Sequence, residues 1–314
     1  MCMQCCRKES FRGGHMVTGR KKHINVLSTG EKIGRVLLAV FLSLAAILCL
    51  YPFLYSLSMS ISSPEHVLKR DIYFFPKGFS LNGYKLVIEN KEIWNAYRNT
   101  ILYAVFGTLL NMILTILAAY ALSRKRFVFR RPVSLLITIT MYVSGGMIPF
   151  FIIVSNLGLY NNPLGVILPF AASAWNIIIA RNFYEGIPDA LEESAKIDGA
   201  NDLIILIKIM LPLSGPILAV LTMYYAVGHW NNYFWPMVLL PKAEYQPLQI
   251  FLRKILIQLQ QASLSGVQIG ISRTAQTEQF KYASIIVSIL PILLIYPFMQ
   301  RYFVKGITIG AVKE

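Results

Sequence analysis

The sequence predicts an all-α polytopic membrane protein of six transmembrane helices, and three observations carry that prediction. Of 314 residues, 55% are hydrophobic and 14% charged, with a mean hydropathy of +0.54, too apolar for a soluble globular chain of this size. The charges fall in clusters between uncharged runs, each long enough for the roughly 20 helical residues that cross a bilayer core. Short segments rich in Lys and Arg alternate with a short one that carries no charge, the pattern that orientation across a membrane imposes. The net charge of +15 therefore does not point to nucleic acid, which requires basic residues gathered on one face.

The elements follow in order. Residues 1–35 form a basic leader, with Arg7, Lys8, Arg12, Arg20, Lys21, Lys22, Lys32 and Arg35 against Glu9 and Glu31, expected to be cytoplasmic and poorly ordered. The apolar run behind it is too long for a signal-peptide core and no clear small-residue cleavage site follows, so an uncleaved first span is expected. Cys2, Cys5 and Cys6 have no second ligand pair, and His15 and His23 are loosely placed, so no zinc site is expected; Met16 is an alternative start. The first span lies within the uncharged residues 36–63 and is expected to bend at Pro52. Residues 64–98, with Phe74, Phe75, Pro76, Gly78 and Gly83, read as a folded external loop.

A second span over 99–123 ends in Arg124, Lys125, Arg126, Arg130 and Arg131, which marks the cytoplasm. Residues 132–180 carry no charge and suit two spans, 133–154 and 164–180, joined outside at Gly158, Asn161, Asn162 and Pro163. Gly145, Gly146 and Pro149 predict close packing or a kink in the third span. A fifth span over 209–228 leads to His229, Trp230, Asn231, Asn232 and Trp235 at the far interface. In the second external loop, 242–281, the spacing of Phe251, Leu252, Ile255, Leu256 and Leu259 predicts an amphipathic helix. A sixth span over 282–300 precedes the tail, 301–314, placing both termini inside and leaving 36–300 as the transmembrane body.

Between the fourth and fifth spans, residues 185–216 break the pattern, because six of the fifteen acids sit there on an inside segment. Pro188 suits a first helical position, Glu192 and Glu193 favour the helix N-terminal dipole, and Gly199 suits a left-handed helix end. A short helix over 188–198 is expected, then a second capped by Asn201 and bent by Pro212 and Pro216. By itself such a segment reads as a solvated connector.

The string LEESAKIDGA followed by IMLPLSGP resembles the EAA loop of ABC importer permeases, with the match on Glu193, Ser194, Ala195, Gly199, Leu211 and Pro212. Ser194 departs from the family's first alanine, a small-for-small change. RNTI at 98–101, AAYALSR at 118–124 and QRYFVKGITIGAVKE at 300–314 extend the resemblance to the second permease subunit of maltose-type carbohydrate importers. SGGMIPFF at 144–151 is similar to a subgroup for complex or oligomeric sugars. The resemblance implies a type I importer permease fold in the cytoplasmic membrane of a prokaryote. It implies a second permease subunit, a cytoplasmic ATP-binding subunit dimer and an extracellular solute-binding lipoprotein as partners, beside membrane lipid. The coupling residues it implies are Leu191, Glu192, Glu193, Ser194, Ala195, Asp198, Gly199, Leu211 and Pro212, with Glu193 meeting a basic group of the ATPase. The tail, in that family, reaches toward the ATPase; by composition it is a frayed end.

The chain holds no GxxxxGK[ST] loop, so ATP is expected on the separate subunit and no cofactor here. Substrate-path candidates are Asn99, Asn111 and Thr115 in the second span and His229, Trp230, Asn231 and Asn232 after the fifth. The competing reading makes the asparagines helix–helix contacts and the tryptophan an interface anchor. An ion-gradient carrier is disfavoured because no span contains an internal Asp, Glu, Lys or Arg. A membrane enzyme is disfavoured because no nucleophile stands with a base.

Overall fold

The computed structural model describes residues 29–264 and 271–311. The leader with Cys2, Cys5, Cys6, His15, Met16 and His23, and the last three residues of the tail, lie outside the described residues. By contacts the chain forms two units, Met1–Tyr51 and Pro52–Glu314. Helix α1, Thr29–Ile61, continues through Pro52 without a break. Its residues up to Leu50 are apolar and exposed almost throughout, as suits a helix bathed in lipid or covered by another chain.

In the second unit, α2 (Pro64–Lys69) and α3 (Asn82–Glu89) give the segment between the first two spans its expected fold. Met59, Val67 and Ile72 form a small core beneath it. Helix α4, Lys91–Ser123, starts on the Asn90 side chain, which accepts from the Glu92 and Ile93 amides. It then spans 33 residues and is the second membrane span.

The next three spans are each broken; the sequence anticipates a kink in the third and a bend in the fifth, but not the break in the fourth. Helices α5 (Arg130–Tyr142) and α6 (Met147–Asn156) meet at 117°. The break follows from Gly146, whose φ of +84° only glycine adopts freely. The kink is therefore realised, and it presents Phe150 to Phe170 and Trp235, with ring centroids 5.5 and 4.4 Å away. The fourth span opens as two 3₁₀ turns, Pro163–Val166 and Leu168–Phe170, and restarts 44° away as α7, Ala174–Glu185, capped by Ser173.

After α8 (Asp189–Ile197), the fifth span begins at α9, Asp202–Ile205. It passes through a π-helical turn, Leu206–Met210, into α10, Leu211–Leu213. It then turns by 86° into α11, Gly215–Asn231. Pro212 has no N–H for the Lys208 carbonyl, and the preceding ladder shifts register so that the Leu211 amide reaches Leu206. The bend expected at Pro212 and Pro216 is present. Helix α12 (Phe234–Leu239), the predicted amphipathic helix α13 (Leu248–Leu264) and α14 (Ile271–Ala311) complete the chain, α14 carrying the sixth span.

Three helices are long and apolar enough to cross a membrane alone, and three bent pairs bring the number to six among the described residues. In the second unit α4 packs against α11 and α7. One core, with Tyr97, Trp230, Leu248 and Phe251, joins the N-terminal part of α4 and the C-terminal end of α11 to α13 and α14. Another, with Tyr120, Ala180, Tyr184, Ala195 and Leu206, joins the C-terminal part of α4 to α7 and reaches α8.

Candidate coupling site and translocation path

The acidic insert folds as helix, turn, helix. Pro188 is the residue before α8, with an extended ψ of 130°, one position earlier than the sequence suggests. Helix α8 ends in a Schellman turn: the Gly199 amide bonds the Lys196 carbonyl and the Ala200 amide bonds the Ala195 carbonyl, with Gly199 at φ +80°. The Asn201 side chain accepts from the Ile204 amide and caps α9, as expected.

Helical spacing divides α8 into two faces. Glu192 and Ala195 are buried, whereas Leu191, Glu193, Ser194, Ile197 and Asp198 are exposed. Ile197 is 87% exposed, an unusual place for a large apolar side chain on a polar loop. Leu211 is half-buried and Pro212 exposed, at the bend of the fifth span.

The inner face is fastened by the basic segment that follows α4. Arg124, itself 6% exposed, donates from Nη1 to Glu192 Oε2 at 2.5 Å and from Nη2 to the Tyr184 carbonyl at 3.0 Å. Its Nε donates to Ser123 Oγ at 2.9 Å, and its guanidinium lies over the Tyr120 ring. Glu192 also receives Lys196 from its own helix and lies 3.7 Å from Arg126, which pairs with Asp202. Outside this group Lys125 Nζ donates to Asp189 Oδ2 at 2.7 Å.

Burial pushes the Glu192 carboxyl up, but hydrogen bonds from Lys196 and Arg124 outweigh it and hold the group below the usual carboxylate range. The Lys125 hydrogen bond holds the Asp189 carboxyl down likewise. The exposed Lys125 pair contributes little after screening, whereas removing one partner of a buried pair costs about 3–5 kcal/mol. In the sequence Arg124 is only a mark of orientation, whereas the structure buries it as the partner of Glu192. The available signal was the first cation of the cluster, the arginine that closes AAYALSR at the end of an uncharged run.

The substrate-path candidates separate. Asn99 Nδ2 donates to the Glu244 and Gln246 carbonyls, and Thr100 Oγ1 accepts from the Leu248 amide, so the NT of RNTI ties the second external loop to α4. Asn111 Nδ2 donates to the Phe170 carbonyl at 2.6 Å and its Oδ1 meets His229 Nε2 at 2.8 Å. Thr115 Oγ1 and the Tyr225 hydroxyl lie 2.6 Å apart, buried. Trp230 is buried against Tyr97. Asn231 is exposed and Asn232 half-buried. A cavity of 740 Å³ opens beside the outer part of α4, with Asn95, Arg98, Asn99 and Phe106 on one side and Leu164 and Tyr245 on the other. Of these, the sequence singled out Asn99 alone.

A family described as the binding-protein-dependent transport system inner membrane component matches residues 111–309. Over 87% of its length the chain is 39% identical to 96% of the polygalacturonan/rhamnogalacturonan transport system permease protein YtcP of Bacillus subtilis. It is 35% identical to Protein LplC of the same organism, over 87% of this chain and 92% of that one. The arabinooligosaccharides transport system permease protein AraQ of B. subtilis is 27% identical over 89% of this chain and 96% of its own length. Among solved structures, a chain from a bacterial ABC transporter involved in the import of the acidic polysaccharide alginate matches with a TM-score of 0.81 and 40% identity, covering 88% of this chain and 99% of that chain.

Proposed function

The chain belongs to the inner membrane components of binding-protein-dependent transport systems, and from that membership we propose that it forms half of the translocation pore of an importer for a sugar or oligosaccharide. Relatives that carry polygalacturonan, arabinooligosaccharides and alginate support a carbohydrate substrate, and those of 39% and 40% identity support a uronate-rich one.

A second permease subunit covers the apolar surface this chain leaves exposed, a dimer of ATP-binding subunits docks on the cytoplasmic face, and a solute-binding lipoprotein delivers the sugar outside. ATP is bound by the separate subunit. The observation that carries the coupling reading is the outer face of α8, where Glu193 and Ile197 stand exposed, one charged and one apolar, beside the Gly199 turn. A docked ATPase would cover Ile197 and pair with Glu193.

Outside, α13 buries Leu248, Phe251 and Ile255 and leaves Leu256 and Ile257 open, a surface suited to the solute-binding protein. Both termini lie in the cytoplasm, with the tail, residues 301–314, directed to the ATPase.

The experiment is co-expression of the chain with its second permease and ATPase, followed by uptake of labelled oligogalacturonides in vesicles. Uptake that needs ATP and the solute-binding protein supports the reading. Uptake that persists without the ATPase and collapses with an ionophore would overturn it in favour of a carrier.

A further inference from the structure

Glu192 and Glu193 are adjacent in sequence, yet about 100° of helical turn per residue sends their side chains to different surroundings. Glu193 stands in solvent, while Glu192 is buried against the end of α4. We propose that Arg124 and Glu192 form the joint through which movement of α8 is transmitted to the membrane-spanning body, as positioning residues that do not themselves touch the ATPase. This rests on the importer reading above.

Three features carry it. Helix α8 has nine residues and buries only Glu192 and Ala195, so apolar packing alone gives it a weak hold. The remaining ion pairs from the basic segment, Lys125 to Asp189 and Arg126 to Asp202 and, at 3.7 Å, to Glu192, each rest on an exposed cation that solvent screens. Arg124, in contrast, grips three elements with one planar group: Ser123 at the end of α4, the Tyr184 carbonyl at the end of α7, and Glu192 on α8. A guanidinium holds that geometry as a rigid fork, which a lysine ammonium on a flexible stem cannot reproduce. A pair kept only for stability is replaceable by apolar side chains of similar volume. A joint is not.

The test uses the complete complex with its ATPase, in a background whose four native cysteines are serine and whose Asn231 is replaced by cysteine. The readout is the change in alkylation rate of that cysteine by a membrane-impermeant maleimide on adding ATP and vanadate. Arg124→Met with Glu192→Met is expected to co-purify with the ATPase while the ATP-driven change falls about fivefold, within the range found for residues that carry coupling. The control Lys125→Ala is expected to keep the parental change.

A parental-sized change in the double variant overturns the proposal. If the double variant does not assemble, Arg124→Lys decides: an attenuated change supports the joint and a parental one overturns it. A parental complex that shows no ATP-driven change overturns the importer reading and this proposal together, whereas loss confined to the variants supports both.

Discussion

Asn111 Oδ1 lies 2.8 Å from His229 Nε2, and this contact fixes the chemistry of both side chains. The Phe170 carbonyl only accepts, so the Asn111 amide nitrogen must face it and the Asn111 oxygen must face His229. The hydrogen therefore sits on Nε2 of His229. The same asparagine satisfies the carbonyl released where the fourth span breaks between Phe170 and Ala174, and it joins α4 to α11. Buried at 1% exposure, it is a device that makes a broken helix tolerable in lipid.

Asn111→Ala is accordingly expected to destabilise the protein by about 1–3 kcal/mol, because it strands a buried carbonyl and a ring N–H. The midpoint of thermal unfolding in detergent reads this. A residue that touched only the substrate would instead shift the concentration dependence of uptake and leave the midpoint unchanged.

Gly107 makes the crossing of α4 and α11 possible, since a Cβ there would lie 2.5 Å from His229 Nε2. Gly107→Ala is expected to cost about 1–3 kcal/mol by overpacking. Combining it with His229→Ala removes the clash, so the two costs will not add. A double-mutant cycle on unfolding midpoints that came out additive would show that the crossing relaxes by another route.

Gly199 ends α8 at φ +80° with open space around its Cα, so strain and not crowding governs substitution there. Gly199→Ala is expected to cost about 1–2 kcal/mol, and Gly199→Asn less, because asparagine tolerates the left-handed region. On the proposed function, Gly199→Asp leaves the protein in the membrane but uncouples ATP hydrolysis from uptake; normal uptake by that variant would remove the turn from the mechanism.

Acid should loosen α8 in a defined window. The folded-state carboxyls of Glu192 and Asp189 are held below their ordinary values, so their contribution is complete above the ordinary carboxylate range and is lost as pH falls through the depressed values. Protease cleavage within residues 185–201 is therefore expected to be flat between about pH 6 and 8 and to rise only in the acid range. Glu192→Gln should blunt that acid limb; an unchanged pH profile would place the sensitivity elsewhere.

Glu193→Ala and Ile197→Ala remove exposed groups and are expected to leave unfolding within about 0.5 kcal/mol of the parent. Retention of the ATPase on purification should fall in both. Unaltered retention would mean that the outer face of α8 is not the docking surface.

The sequence by itself determined the class of the protein and the place of its acidic insert. Five uncharged runs, one of them long enough for two spans, basic short segments and an acidic insert need no tertiary information, because hydrophobic length and charge asymmetry act locally. The Gly199 turn, the Asn201 cap and the bend at Pro212 and Pro216 were legible for the same reason, since each is a property of a few consecutive residues. Only tertiary structure decided which of two adjacent glutamates turns inward, because that depends on Arg124, 68 positions away in the chain. It likewise decided that Asn99, Asn111, Thr115 and His229 form intramolecular hydrogen bonds, since their partners at Glu244, Phe170 and Tyr225 come from other spans and loops. The breaks in the third and fourth spans stand for the same division: glycines and prolines marked where a helix was weak, but only packing supplied the donors and aromatic rings that let it open.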